Sequence, residues 1–102
     1  MGVTIGRYLF EGPHFSTESL QDRSGVYAII DRRDAGDFLV DVGESATLKT
    51  RVENHDRKDC WNRNAKGTLG AAVYYTPNLQ QSGRMDVEQE IRGQYDLACG
   101  KR

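Results

Sequence analysis

The sequence predicts an α+β domain with a small, central, mainly antiparallel three-stranded sheet flanked by helices. Two apolar segments, 25–31 and 38–42, alternate with period 2 and are separated by a polar turn, as in an antiparallel hairpin. A third run, LGAAVYYT over 69–76, is rich in small, β-branched and aromatic residues and reads as the central strand. Between and after these strands, segments 46–56 and 84–97 place apolar residues at helical spacing.

At 102 residues the chain has the size of one domain, with its core expected over 24–98 and residues 1–23 forming an N-terminal extension. The formal net charge of −1, from 14 Lys+Arg against 15 Asp+Glu, gives no global reason to bind a polyanion, so any nucleic-acid surface must be local. The first ten residues, MGVTIGRYLF, lack the basic lead and long apolar run of a signal peptide, and no apolar stretch approaches the roughly 20 residues that span a bilayer. A cytoplasmic chain without a membrane partner is expected. Gly6 stands where a myristoylation signal wants Ser or Thr, which argues against lipidation. Cys60 and Cys99 lie far apart without CxxC spacing, so two thiols are expected rather than a disulfide framework or a four-ligand zinc site.

Residues 1–24 are irregular in pattern. Tyr8, Leu9 and Phe10 are the one candidate for an extra edge strand, Gly12-Pro13 breaks the chain, and His14 reads as a loop residue. In the second strand, period 2 places Leu39 and Asp41 on one face and Phe38, Val40 and Val42 on the other. Gly43 ends this strand and Ser45 is the expected N-cap of the helix over 46–56. Leu48 and Val52 would face the core, while Arg51 and His55 repeat the same spacing on a neighbouring stripe.

The polar segment RKDCWNRNAK follows. Between Lys49 and Lys66 six cations (Lys49, Arg51, Arg57, Lys58, Arg63 and Lys66) face three acids, a local excess of three positive charges. With Trp61 among them, these residues are the candidate nucleic-acid surface, because an aromatic ring beside cations suits base stacking; the competing role for Trp61 is a core anchor. In the last helix Val87, Ile91 and Tyr95 share a stripe, Glu88 borders it within i−4 or i+4 pairing reach of Arg84 or Arg92, and Glu90 is expected in solvent. Gly93 costs that helix about 1 kcal/mol relative to alanine, which points to close packing there.

GESATLKT places a glycine before Lys-Thr at P-loop spacing, but Leu48 occupies the position of the second glycine, which argues against a phosphate cradle. Neither His14 nor His55 sits in a recognisable nucleophile motif. Taken jointly, Gly25-Val26-Tyr27, Asp41-Val42-Gly43, Arg51 eight residues after that glycine, His55 four further on, and Glu88 in the frame E-x-x-I resemble the GIY-YIG nuclease domain. The likeness spans 24–98. Asp41 stands where the second tyrosine is found, and the asparagine that commonly follows the last helix has no clear counterpart in DLACGKR.

The resemblance implies a metal-dependent endonuclease acting on nucleic acid, with DNA the expected polymer. Tyr27 would be the general base, Arg51 the phosphate clamp, and Glu88 the protein ligand of one Mg²⁺ or Mn²⁺ ion, with His55 and Asp41 in the same site. A phenol with a pKa near 10 needs nearby positive charge to act as a base at neutral pH. Arginine offers a rigid fork for phosphate oxygens, and Mg²⁺ takes few carboxylates while keeping several waters. Asp41 is open to three roles: second metal ligand or base, partner of Arg51 or His55 in a weakly active site, or a carboxylate turned to water. The alternative function is a catalytically weak or inactive scaffold that binds nucleic acid or protein; specificity would come from a partner protein, a dimer or the loops.

Overall fold

The computed structural model describes residues 2–100, which form one antiparallel five-stranded sheet with helices on its two faces. The strands are β1 (Gly2–Ile5), β2 (Tyr8–His14), β3 (Gly25–Arg33), β4 (Gly36–Ser45) and β5 (Thr68–Tyr75), in the order β1-β2-β5-β3-β4. The helices are α1 (Leu48–Glu53), α2 (Lys58–Asn64) and α3 (Gln81–Gln94), with a short 3₁₀ turn at Thr17–Ser19. No helix among the described residues is long and apolar enough to cross a membrane.

The expected three strands are therefore five, and the segment taken as an N-terminal extension supplies the other two. β1 and β2 form a hairpin around Gly6, whose φ of 62° suits glycine, and β2 pairs with β5. The disguise is local: between the pairs Glu11↔Val73 and His14↔Ala71 the register shifts, and Gly12-Pro13 lies in that irregularity. Proline has no N–H to give a ladder, so a bulge is one of the few places a sheet accepts it.

The central hairpin carries the second correction. β3 and β4 pair from Gly25↔Ser45 to Arg33↔Gly36, but Ile29 faces Asp41 while Ile30 faces Leu39. Val40 has no partner, so one bulged residue resets the alternation. Leu39 packs with the Val26, Ala28, Ile30 and Val42 cluster, whereas Val40 joins Tyr27 and Ile29 on the opposite face. Asp41, opposite Ile29, lies on that second face too, so Leu39 and Asp41 do not share a face as strict period 2 required.

Each face has its own core. Leu48, Val52 and Trp61 of α1 and α2 cover Tyr27, Ile29, Ala71 and Val73, while Val87 and Ile91 of α3, with Ile5 and Phe10, cover Val26, Ala28, Val42 and Ala72. This double coverage is why β3 is buried from Gly25 to Asp31. Asp31 is fully buried and clamps the turn into β5, accepting from the backbone N–H groups of Lys66 and Gly67 at 2.8 and 2.9 Å and from Arg33 at 2.7 Å. Burial opposes its charge, but these bonds hold the carboxyl below its usual range.

Helix boundaries also differ from expectation. α1 starts at Leu48 and is shorter than 46–56; Ser45 ends β4, its hydroxyl accepting from the Thr47 N–H at 3.0 Å. The orphan donors of α1 are met from before β3, where Arg23 O accepts from Leu48 N–H and the Asp22 carboxylate accepts from both the N–H and the hydroxyl of Thr50. The polar 57–66 segment contains α2, which turns Trp61 inward. Cys60 and Cys99 are joined in a disulfide, contrary to the expected free thiols: residues 39 apart meet only because the chain after α3 returns to α2. α3 is shifted toward the N-terminus, so Tyr95 lies beyond its end, 39% exposed, its hydroxyl accepting from the Gly6 N–H at 2.9 Å. Glu90 is half-buried rather than solvated, accepting from Arg7 at 2.8 and 3.0 Å and from the Tyr8 hydroxyl at 2.8 Å.

Gly93 is not a packing site, since a Cβ there would meet nothing within 4 Å. Gly93→Ala is expected to stabilise the protein by about 0.5–1 kcal/mol, through helix propensity and a less flexible unfolded chain. A raised urea midpoint at constant slope is the expected result; a lowered midpoint would show hidden crowding.

Candidate active site

Tyr27 lies on β3 opposite Gly43 of β4, and its ring crosses the space a side chain at 43 would fill. Any Cβ at Gly43 would collide with the phenol, so this glycine exists for the tyrosine. Gly25 has a comparable role, with a Cβ there lying 2.5 Å from the Tyr74 carbonyl oxygen and 3.0 Å from Leu48. Val26 and Val42 are buried on the other face and serve the α3 core.

His55 follows the end of α1 and is buried against Trp61, with ring centroids 4.5 Å apart. Its Nδ1 accepts from the backbone N–H of Arg57 at 3.0 Å. In a neutral imidazole that leaves the proton on Nε2, which donates to the Tyr27 hydroxyl oxygen in a short hydrogen bond. Burial, reinforced by Arg51 and Arg57, lowers the His55 pKa to about 4. Burial likewise raises Tyr27 to about 12, with Asp41 and Glu88 adding to the rise while Arg57 and Arg51 oppose it. At neutral pH the pair is uncharged.

Asp41 is fully buried and saturated with donors. Its Oδ1 accepts from the Val42 N–H and from Arg92 Nη2, both at 2.8 Å, and its Oδ2 accepts from Arg57 Nε and Trp61 Nε1, both at 2.8 Å. Each of the three expected roles is therefore corrected. The carboxylate does not reach water, its partners are Arg57 and Arg92 rather than Arg51 or His55, and its lone pairs are already committed, leaving none for a metal or a proton in transit. Burial works against the charge on Arg57, but the hydrogen bond and charge of Asp41 outweigh it and raise its pKa.

Arg92 carries the network onward. Besides Asp41 it donates to the Val42 carbonyl, to the Cys99 carbonyl at 3.4 Å, and through Nε to Glu88 Oε2 at 3.1 Å. The segment after α3 closes over this pair: Cys99 N–H bonds to the carbonyl of the bulged Val40 at 3.1 Å, and Gly100, at φ 81°, has no room for a Cβ beside Arg92 and Asp41. Tyr27, His55, Arg57, Asp41, Arg92 and Glu88 thus form one continuous chain of contacts from β3 to α3. Arg51 stands beside it on α1, half-exposed and paired with the exposed Asp56 at 3.1 Å.

Glu88 Oε1 makes no hydrogen bond among the described residues, and no group of three or more His, Cys, Asp or Glu side chains there is arranged to hold a metal ion. Glu88 fits a hydrated divalent ion that takes a single carboxylate, with Arg92 on its other oxygen opposing that charge. Of the candidate nucleic-acid residues, Lys58, Arg63 and Lys66 are exposed and Lys49 is half-exposed. Arg57 is committed to Asp41, and Trp61, at 5% exposure, is a core residue and not an exposed stacking platform. Of the two arginines within helical reach of Glu88, Arg92 is its partner while Arg84 pairs with Glu44; only the contact of Arg92 with Asp41 carried no sequence signal.

Comparison with protein-family models, with characterised proteins and with solved structures gives no match to this chain.

Asp41→Ala is expected to destabilise the fold by about 3–5 kcal/mol, because it strands the buried Arg92 and leaves the half-buried Arg57 and the Trp61 indole without their acceptor. Chemical denaturation reads this directly, and a loss below about 1 kcal/mol would mean that the pair is not a structural element. His55 sets a pH limit. Its folded pKa of about 4 lies below the 6.5 of the free side chain, so the unfolded chain binds the extra proton between those values. Stability is therefore full above pH 6.5 and falls as pH drops toward 4. Denaturation midpoints should decline between pH 6.5 and 5 in the parent protein and stay flat there in His55→Gln; parallel curves would exclude a buried neutral His55.

Proposed function

We propose that the chain is a GIY-YIG-like nuclease domain that hydrolyses nucleic-acid phosphodiesters. The observation that carries this reading is the Tyr27–His55 hydrogen bond, with Arg57, Arg51 and Glu88 all near enough for their charges to act on the phenol. Those residues come from β3, from α1 and the segment after it, and from α3, and a scaffold alone has no need to bring them together.

In this reading Tyr27 takes the proton of the attacking water. The geometry favours phenolate in one respect and opposes it in another. The Nε2–H of His55 points at the phenol oxygen and would stabilise a negative charge there. Burial, Asp41 and Glu88 push the other way, and the value of about 12 shows that burial prevails in the free protein. Glu88 would hold a divalent ion, which when bound would supply the missing positive charge beside the phenol and the phosphate. Arg51 clamps the phosphate by leaving Asp56, an exposed partner whose loss costs little. Asp41 has no chemical step; its charge is offset by Arg57 and Arg92.

A second reading, a non-catalytic nucleic-acid binder, has its own support. Tyr27 and His55 are only 1% and 5% exposed, and binding would then rest on Lys58, Arg63 and Lys66.

Incubation with single-stranded, duplex and branched DNA, and with RNA, in Mg²⁺ or Mn²⁺ separates the two. Hydrolysis should appear and fall at least about 100-fold in Tyr27→Phe and in Glu88→Gln, the usual scale for losing a general base or a metal ligand. Cleavage that survives both substitutions would overturn the site. Salt-dependent binding without product, weakened by Lys58→Glu and Arg63→Glu, would establish the second reading.

A further inference from the structure

A second site lies on the same face of the sheet as Tyr27. A pocket of about 240 Å³ opens over Ile29 and Ala71, with Ile29 two residues along β3 from Tyr27. Trp61 links the two places, since it lines this pocket and also packs on His55. The pocket is therefore one residue's thickness from the Tyr27–His55 pair.

Its other wall is Phe15, which is 48% exposed yet held in position. The ring rests on the β5 backbone at Gly70, where a Cβ would come within 2.9 Å of it, and the Arg32 guanidinium lies 5.2 Å from its centroid. A fixed, half-exposed aromatic ring at the mouth of an apolar pocket is a stacking surface. The polar groups around it are free to bind. The side chains of His14 and Asn62 make no hydrogen bond within the described residues, and the Lys58 ammonium spends only one of its three protons, on the Glu53 carbonyl. An aromatic wall, an amide able both to donate and to accept, and a cation at the rim together match a planar heteroaromatic ring with polar edge groups joined to an anion.

We propose that this pocket binds the base and phosphate of one nucleotide. The base lies against Phe15 with its edge at Asn62 and His14, and the phosphate meets Lys58. As a subsite for the strand being cut, the assignment rests on the nuclease reading; as a nucleotide site it stands without it.

Trp61 is the chain's single tryptophan and reports directly on the pocket. Its emission would be titrated in EDTA with nucleoside 5′-monophosphates, short single-stranded oligonucleotides, ribose 5-phosphate and inorganic phosphate, with calorimetry in parallel. Saturable responses to mononucleotides and oligonucleotides, and none to ribose 5-phosphate or phosphate, are expected. Phe15→Ala and Asn62→Ala, at two exposed positions outside the Tyr27 network, should each weaken binding about tenfold with unchanged circular dichroism. Tighter binding of oligonucleotides than of mononucleotides would identify the ligand as part of a strand, and equal binding would identify it as a free nucleotide. Absence of both heat and quenching, an equal response to ribose 5-phosphate, or indifference to both substitutions would overturn the proposal. Because the buffer holds no metal and the readout is binding, failure here leaves the cleavage experiment intact, and a chain that does not cleave can still pass this test.

Discussion

The buried carboxylate of Asp41 is the point on which the architecture depends. It joins β4 to α2 through Arg57 and Trp61 and to α3 through Arg92, so helices on opposite faces of the sheet meet at one side chain. A charge in that position is costly to desolvate, and it is tolerable because donors surround both oxygens. The bulge at Val40 makes this possible. Without it Asp41 would point toward the α3 core, away from Trp61 and Arg57, and the Val40 carbonyl would not be free to hold Cys99.

The same interaction governs the electrostatics around Tyr27. Arg57 is shared, its side chain binding Asp41 and its backbone N–H fixing the tautomer of His55. Arg92 is shared between Asp41 and Glu88. Within this group two acids and two arginines cancel, and the Tyr27–His55 pair is neutral. The free site therefore holds no net charge apart from Arg51, whose partner Asp56 is exposed and weakly bound. An anion arriving there would find a cation it can recruit cheaply, whereas the arginines bonded to Asp41 could not turn to it without stranding a buried carboxylate.

Much of this was legible in the sequence, and what was hidden has definite physical causes. The β3–β4 hairpin, β5, the inward faces of α1 and α3, and the burial of Leu48 and Val52 follow from periodicity because each is set by side chains within one segment. Tyr8–Phe10 marked the start of β2, but the rest of that strand was obscured by Gly12-Pro13, which sit in its bulge, and β1 outside it left no clear pattern. The disulfide and the Asp22 cap of α1 were invisible because their partners come from distant segments that only the closed fold brings together. Alternation misassigned Asp41 because a single bulged residue inverts everything beyond it. Tyr27, His55 and Glu88 could be singled out by their joint motif spacing and the Glu88–Arg92 pair by its i, i+4 spacing, but the contacts of Arg57 and Arg92 with Asp41 follow no sequence pattern.

Asp41 also explains why Tyr27 is so deeply enclosed. A tyrosine at that position would bring a phenol with one proton to donate, and it could not bind two guanidinium groups and an indole at once. A carboxylate can, and in doing so it draws α2 and the segment after α3 inward over the sheet. Trp61 comes with α2, packs on His55, and closes the space beside the phenol. The exclusion of water that raises Tyr27 and lowers His55 is thus a consequence of the acid two positions before Gly43. The arrangement binds the chemistry of the pair to the integrity of the fold: whatever loosens Asp41 rehydrates Tyr27 and His55 and moves both groups back toward their ordinary ionisation.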